Sequence, residues 1–115
     1  MSEGFPKNPE KRHYKRIDAE LPVRLEMNGQ EIQSTTQNIS CGGMFLNSPQ
    51  NFVKPEDSVV AFITLPGTQR AVKLNGRVCR IETQADSTGA AIEFSGLYDE
   101  NHQHIDQFVK NKLLN

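Results

Sequence analysis

From Pro22 to Phe94 the sequence alternates apolar and polar residues in short runs, each closed by a turn signal. Successive side chains of a strand point to opposite faces, so this period buries its apolar set only on one face of a sheet. Val23, Leu25 and Met27 alternate with Arg24 and Glu26, and Asn28-Gly29 follows as a hairpin turn. The return strand, from Gln30 to Gln37, is poor in apolar residues and rich in Thr and Gln, as an exposed strand can be. Ser40-Cys41-Gly42-Gly43 breaks the pattern and Met44 to Leu46 resumes it. Ser58 to Leu65 is a β-branched and aromatic run bounded by Pro55 and by Pro66-Gly67. Arg70 to Glu82 alternates again with Val72, Leu74 and Val78 on one face, and after the turn at 86–89 Ala90, Ile92 and Phe94 share a face. Short strands at this spacing predict a closed or nearly closed antiparallel barrel.

The period changes once. Ile105, Phe108, Val109 and Leu113 form a helical stripe, which predicts a C-terminal helix over about 99–114 lying on the barrel as a lid. Asp99 suits its N-cap, because a carboxylate there accepts orphan backbone N–H groups and faces the positive helix end. The first stretch, 1–11, carries Pro6 and Pro9 and shows neither period, so it reads as a flexible arm. Residues 12–115 are then the folded domain, since 115 residues bury one modest core and not two.

A net charge of -1 gives no reason to expect bulk binding to a nucleic-acid polymer or an anionic membrane. The opening residues lack the apolar core of a signal peptide, and no apolar run approaches the length of a membrane span. Cys41 and Cys79 do not make a disulfide framework, and the expectation is two reduced thiols in a cytoplasmic protein. His102 and His104, two apart on a helix, point away from each other and cannot share a metal ion there; both read as surface histidines. Neither Cys41 nor Ser40 has the surroundings of a nucleophile, so no catalytic residue is assigned and the chain reads as a non-enzyme.

The charge is not evenly spread. Over residues 7–16, Lys7, Lys11, Arg12, Lys15 and Arg16 are opposed only by Glu10, so much of the positive charge precedes the first strand. Arg12 and Arg16 stand four apart there, and Asn38-Ile39-Ser40-Cys41-Gly42-Gly43 ends the second strand. An arginine presents a planar fork that matches a phosphate or the O6/N7 edge of guanine bidentately. Asn38 offers donor and acceptor, Ser40 a rotatable hydroxyl, and the two share a face of an extended strand. Gly43, without a Cβ, permits a sharp turn or close approach of a flat ligand. Together these groups suit an anionic purine nucleotide.

Arg-x-x-x-Arg followed by Asn-x-Ser-x-x-Gly resembles the signature of the PilZ family of cyclic di-GMP receptors. Leu21-Pro22-Val23, Gly43-Met44-Phe45-Leu46, Gly76-Arg77-Val78 and Gly89 to Phe94 look like the family's further landmarks, in order. The resemblance implies a mostly β fold: a six-stranded antiparallel β-barrel with a C-terminal α-helix, a flexible N-terminal arm and the ligand on the outer surface. It implies that Arg12 and Arg16 grip guanine and phosphate, that Asn38 and Ser40 contact guanine, and that Gly43 leaves room for the ligand. Lys11, a basic residue just before the motif, implies an intercalated cyclic di-GMP dimer. Where many members carry an aromatic, this chain has Arg80, whose planar group can stack on a base instead. The expected ligand is cyclic di-GMP, with no cofactor and no metal, and the expected partner is a downstream effector protein. The competing readings are a PilZ-fold protein-interaction adaptor that binds no nucleotide and a single-stranded RNA-binding barrel.

Overall fold

The structure, a computed structural model, describes residues 15–48, 53–67, 71–83, 88–96 and 99–114. The N-terminal arm (1–11), with Lys11, and Arg12 just beyond it lie outside the described residues. Seven strands and one helix follow in order: β1 (Ile17–Asp18), β2 (Pro22–Met27), β3 (Gln30–Ser40), β4 (Gly43–Ser48), β5 (Ser58–Thr64), β6 (Ala71–Thr83), β7 (Thr88–Phe94) and α1 (Glu100–Leu114). All pairings are antiparallel, and the order β3-β2-β5-β6-β7-β4 returns to β3 through a β3–β4 pairing. The result is a closed six-stranded antiparallel barrel, with β1 as an extra short strand on β3.

The expected alternation is the physical basis of the barrel. Val23, Leu25 and Met27 point inward from β2, Val59, Ala61 and Ile63 from β5, and Val72, Leu74 and Val78 from β6. One inner row crosses four strands through Ile39, Met44, Ile92 and Val78, each at most 2% exposed. Burying one such side chain stabilises by about 1.5–3 kcal/mol, so this row is one contributor to the force that closes the barrel. The β2–β3 hairpin turns at Asn28 (φ 49°) and Gly29 (φ 77°), the two left-handed residues that an Asn-Gly type I′ turn requires.

Several boundaries differ from the alternation alone. β3 runs to Ser40 rather than Gln37. β1 has only two residues, too few to show a period. It and β2 lie on the same side of β3, and the Thr36 side chain ties down the chain between them. The Leu21 N–H donates to Thr36 Oγ1 (2.9 Å), and Oγ1 donates to the Ala19 carbonyl (2.5 Å). Thr36 is fully buried, so those groups have no water to turn to.

Helix α1 packs against β6, β3 and β1 and places Ile105 and Val109 in the same apolar cluster as the strands. Its N-terminus is set as expected: Asp99 Oδ1 accepts from the N–H groups of Asn101 (3.0 Å) and His102 (3.1 Å). Two details correct the sequence reading. His102 is buried, edge-on to Phe94 and 2.9 Å from Asp99 Oδ1 through Nδ1. It continues the Ile105–Val109 stripe one turn back, which puts an imidazole where a surface residue was expected. The hydrogen bond from His102, with those from the backbone, holds the Asp99 carboxyl below the usual aspartate range. Leu113, expected in the stripe, is 49% exposed. His104 is exposed, as expected. Cys41 is buried, Cys79 is exposed, and they are not linked to each other.

Candidate functional site

Two β-bulges define the outer surface beside β1. In β3 the register slips between Thr36 and Asn38, leaving Gln37 extra, and in β6 it slips between Val78 and Arg80, leaving Cys79 extra. An inserted residue shifts the parity of everything after it, so a side chain due to face inward faces outward. Asn38 and Arg80 are the first paired residues after the two bulges, and they lie in one row. Asn38 is opposite Phe45, Phe45 opposite Ala91, and Ala91 opposite Arg80. Asn38, Phe45 and Ala91 are half-buried and Arg80 is exposed, whereas the adjacent rows through Ile39 and Thr36 point into the core. At about 4.8 Å between strands, the row spans roughly 14 Å.

An arginine stands at each end. Arg16, exposed just before β1, donates from Nη1 to Asn38 Oδ1 at 3.2 Å. The pairing of Asp18 with Asn38 and Ile17 with Ile39 carries the chain past this point, which fixes where Arg16 leaves the barrel. At the other end Arg80 Nε pairs with Glu82 Oε2 at 2.7 Å. Both partners are about half exposed, and such surface pairs are worth at most about 1 kcal/mol, so either guanidinium can be recruited by an anion. Next to this row Arg77 bridges Glu56 (2.7 Å) and Glu93 (3.1 Å), and these carboxylates hold its pKa up.

Ser40 and Gly43 flank the turn between β3 and β4. The Ser40 hydroxyl accepts from the Gly42 N–H at 3.1 Å and is itself 3% exposed, so it shapes the turn between β3 and β4. A Cβ on Gly43 would stand 2.5 Å from the Ile92 carbonyl oxygen. The space that glycine leaves there is occupied by β7, which accounts for the glycine by strand packing. Phe45, which the sequence marks only as part of a landmark, is placed outward by the alternation, between inward Met44 and Leu46.

An open concavity of about 680 Å³ lies elsewhere, by the β2–β3 hairpin, between Met27, Val59 and Gly76. Among the described residues its lining includes Glu26 and Glu31 and no Lys or Arg, which is the wrong sign for a phosphate. Among the described residues no group of three His, Cys, Asp or Glu is placed to hold a metal ion, and no helix is long and apolar enough to cross a membrane.

The molecule is thus a closed six-stranded antiparallel barrel with a capped C-terminal helix and an outer row flanked by Arg16 and Arg80. The PilZ domain model matches residues 10–111, and the chain belongs to the PilZ domain family. The inhibitor of motility MotI/DgrA of Bacillus subtilis is similar over 90% of this chain and 52% of its own, with a TM-score of 0.81 and 26% identity. The PilZ domain of YcgR from Escherichia coli, solved with c-di-GMP, is similar over 90% of this chain and 92% of its own, with a TM-score of 0.74 and 11% identity. The MrkH–c-di-GMP complex of K. pneumonia is similar over 90% of this chain and 52% of that one, with a TM-score of 0.72 and 14% identity. This chain therefore spans about half the length of MotI/DgrA and MrkH. Among curated protein sequences none matches it.

Proposed function

We propose that this chain is a receptor for cyclic di-GMP, without catalytic activity of its own, that signals the bound state to a partner protein. The observation that carries the reading is the Arg16–Asn38 hydrogen bond at the head of an outer row that ends in Arg80. Each guanidinium offers a planar fork to a phosphate or to the O6/N7 edge of guanine, and Asn38 adds a donor and an acceptor at the same end. Arg12 and Lys11, four and five positions before Arg16, add positive charge on the same side of β1 in sequence. YcgR and MrkH, similar in fold, are proteins solved with the same nucleotide. In this reading Ser40 and Gly43 build the turn between β3 and β4, and Asn38 makes the direct contact with the ligand.

Isothermal titration with cyclic di-GMP, GTP and a short single-stranded RNA as parallel ligands separates the classes. Heat of binding with cyclic di-GMP alone is the expected result. An adaptor of the same fold that has lost the nucleotide gives no heat with any of the three, and an RNA-binding barrel responds to the RNA.

A further inference from the structure

Phe45 holds the middle of the outer row, with Asn38 on one side and Ala91 on the other. Its ring does not stand off the sheet. A Cβ built on Gly89, two positions before Ala91 on β7, would collide with Phe45 Cζ and Cε2. The tip of the ring thus rests where any other residue at 89 would carry its side chain, and glycine is what permits it. Gly89 is buried beneath it although its neighbours of the same parity, Ala91 and Glu93, are not. A ring rooted on β4 whose tip reaches the next outward position of β7 runs along that surface, and Phe45 remains partly exposed.

The surroundings keep it there. Beyond it, Asn47 donates through Nδ2 to Thr35 Oγ1 (2.9 Å) and accepts through Oδ1 from Gln37 Nε2 (2.6 Å), a polar bank along one margin. On the far side Ala91, with only a methyl side chain, stands between Phe45 and Arg80 in the row. A partly exposed aromatic ring in a row with a guanidinium at each end suits a flat, anionic aromatic ligand. Aromatic side chains bind bases by stacking because every base presents a π-face.

Resting on the reading that the outer row binds nucleotide, we infer that the Phe45 ring, laid over Gly89, is the floor on which one guanine base of cyclic di-GMP stacks. Arg16 and Asn38 hold the base edge or phosphate at one end, and Arg80 holds the ligand at the other.

The test uses the full chain and two substitutions. The sequence contains no tryptophan, so Phe45→Trp introduces a single reporter on the floor itself. Cyclic di-GMP is expected to quench its fluorescence saturably, with an affinity within a few-fold of wild type. Phe45→Leu keeps apolar cover over Gly89 but removes the flat face, and is expected to melt like wild type while binding cyclic di-GMP roughly 5-fold or more weakly. Wild-type binding together with unchanged affinity in Phe45→Leu and no quenching in Phe45→Trp overturns the floor alone. Absence of binding by wild type overturns the nucleotide reading beneath it, and the floor with it.

Discussion

Arg16→Ala is expected to weaken cyclic di-GMP binding by roughly 5- to 150-fold while leaving the melting temperature nearly unchanged. A bidentate arginine–guanine contact is worth about 1–3 kcal/mol, which sets that range. The guanidinium is exposed and its one described hydrogen bond, to Asn38, is at the surface, so truncation removes no core contact. Lys at this position keeps the charge without the planar fork, and Arg16→Lys should recover only part of the loss. Binding should also weaken as salt rises, because the contact is charge-assisted and lies open to solvent. Calorimetry on the three proteins, with thermal melts in parallel, checks this. Wild-type affinity in Arg16→Ala, or a melt many degrees lower, would contradict the role given to Arg16.

Gly43→Ala is expected to act on the barrel before it acts on the ligand. The added Cβ would meet the Ile92 carbonyl oxygen at 2.5 Å, and that oxygen belongs to β7 backbone paired on both sides. It has no rotamer to escape into, so β4 and β7 must part or the ladder must bend. Overpacking of this kind costs about 1–3 kcal/mol, out of the 5–15 kcal/mol typical of a domain. At roughly 4 °C per kcal/mol, the midpoint should fall by about 4–12 °C. The residual affinity, measured well below the midpoint, should stay close to wild type. The opposite pattern, an unchanged melt with lost binding, would show that Gly43 makes room for ligand and not for Ile92.

Strands β2, β6 and β7 were legible because burial on one face of a barrel imposes a period of two, and β5 because its β-branched and aromatic run is bounded by turn residues. The helix was legible for the matching reason at a longer period, with Ile105 and Val109 both buried. What escaped were features that change parity or depend on a neighbour. The bulges at Gln37 and Cys79 leave only a slip in spacing, from Thr36 to Ile39 in β3 and from Val78 to Ile81 in β6. Without the paired strand such a slip has no reference. His102 was misjudged because its chemistry suggests a surface, while its place in the stripe, three before Ile105, dictates burial against Phe94. Phe45 has a similar history. Its outward parity follows from its neighbours, but its lying over Gly89 depends on the β4–β7 register, which no local pattern contains. The arginines were legible as chemistry, and the structure adds that the exposed pair Arg16 and Arg80 terminates one row.

The central claim is that cyclic di-GMP binds on this row, and amide chemical shifts of the labelled chain titrated with the nucleotide test it most directly. Saturable shifts should gather at Arg16, Asn38, Phe45, Arg80 and Ala91. The opposite wall, where Arg24 lies over the Phe62 ring, should stay still, as should the hairpin concavity around Met27 and Asn28. Shifts centred on either of those two regions, or none at a large excess of nucleotide, would contradict the account.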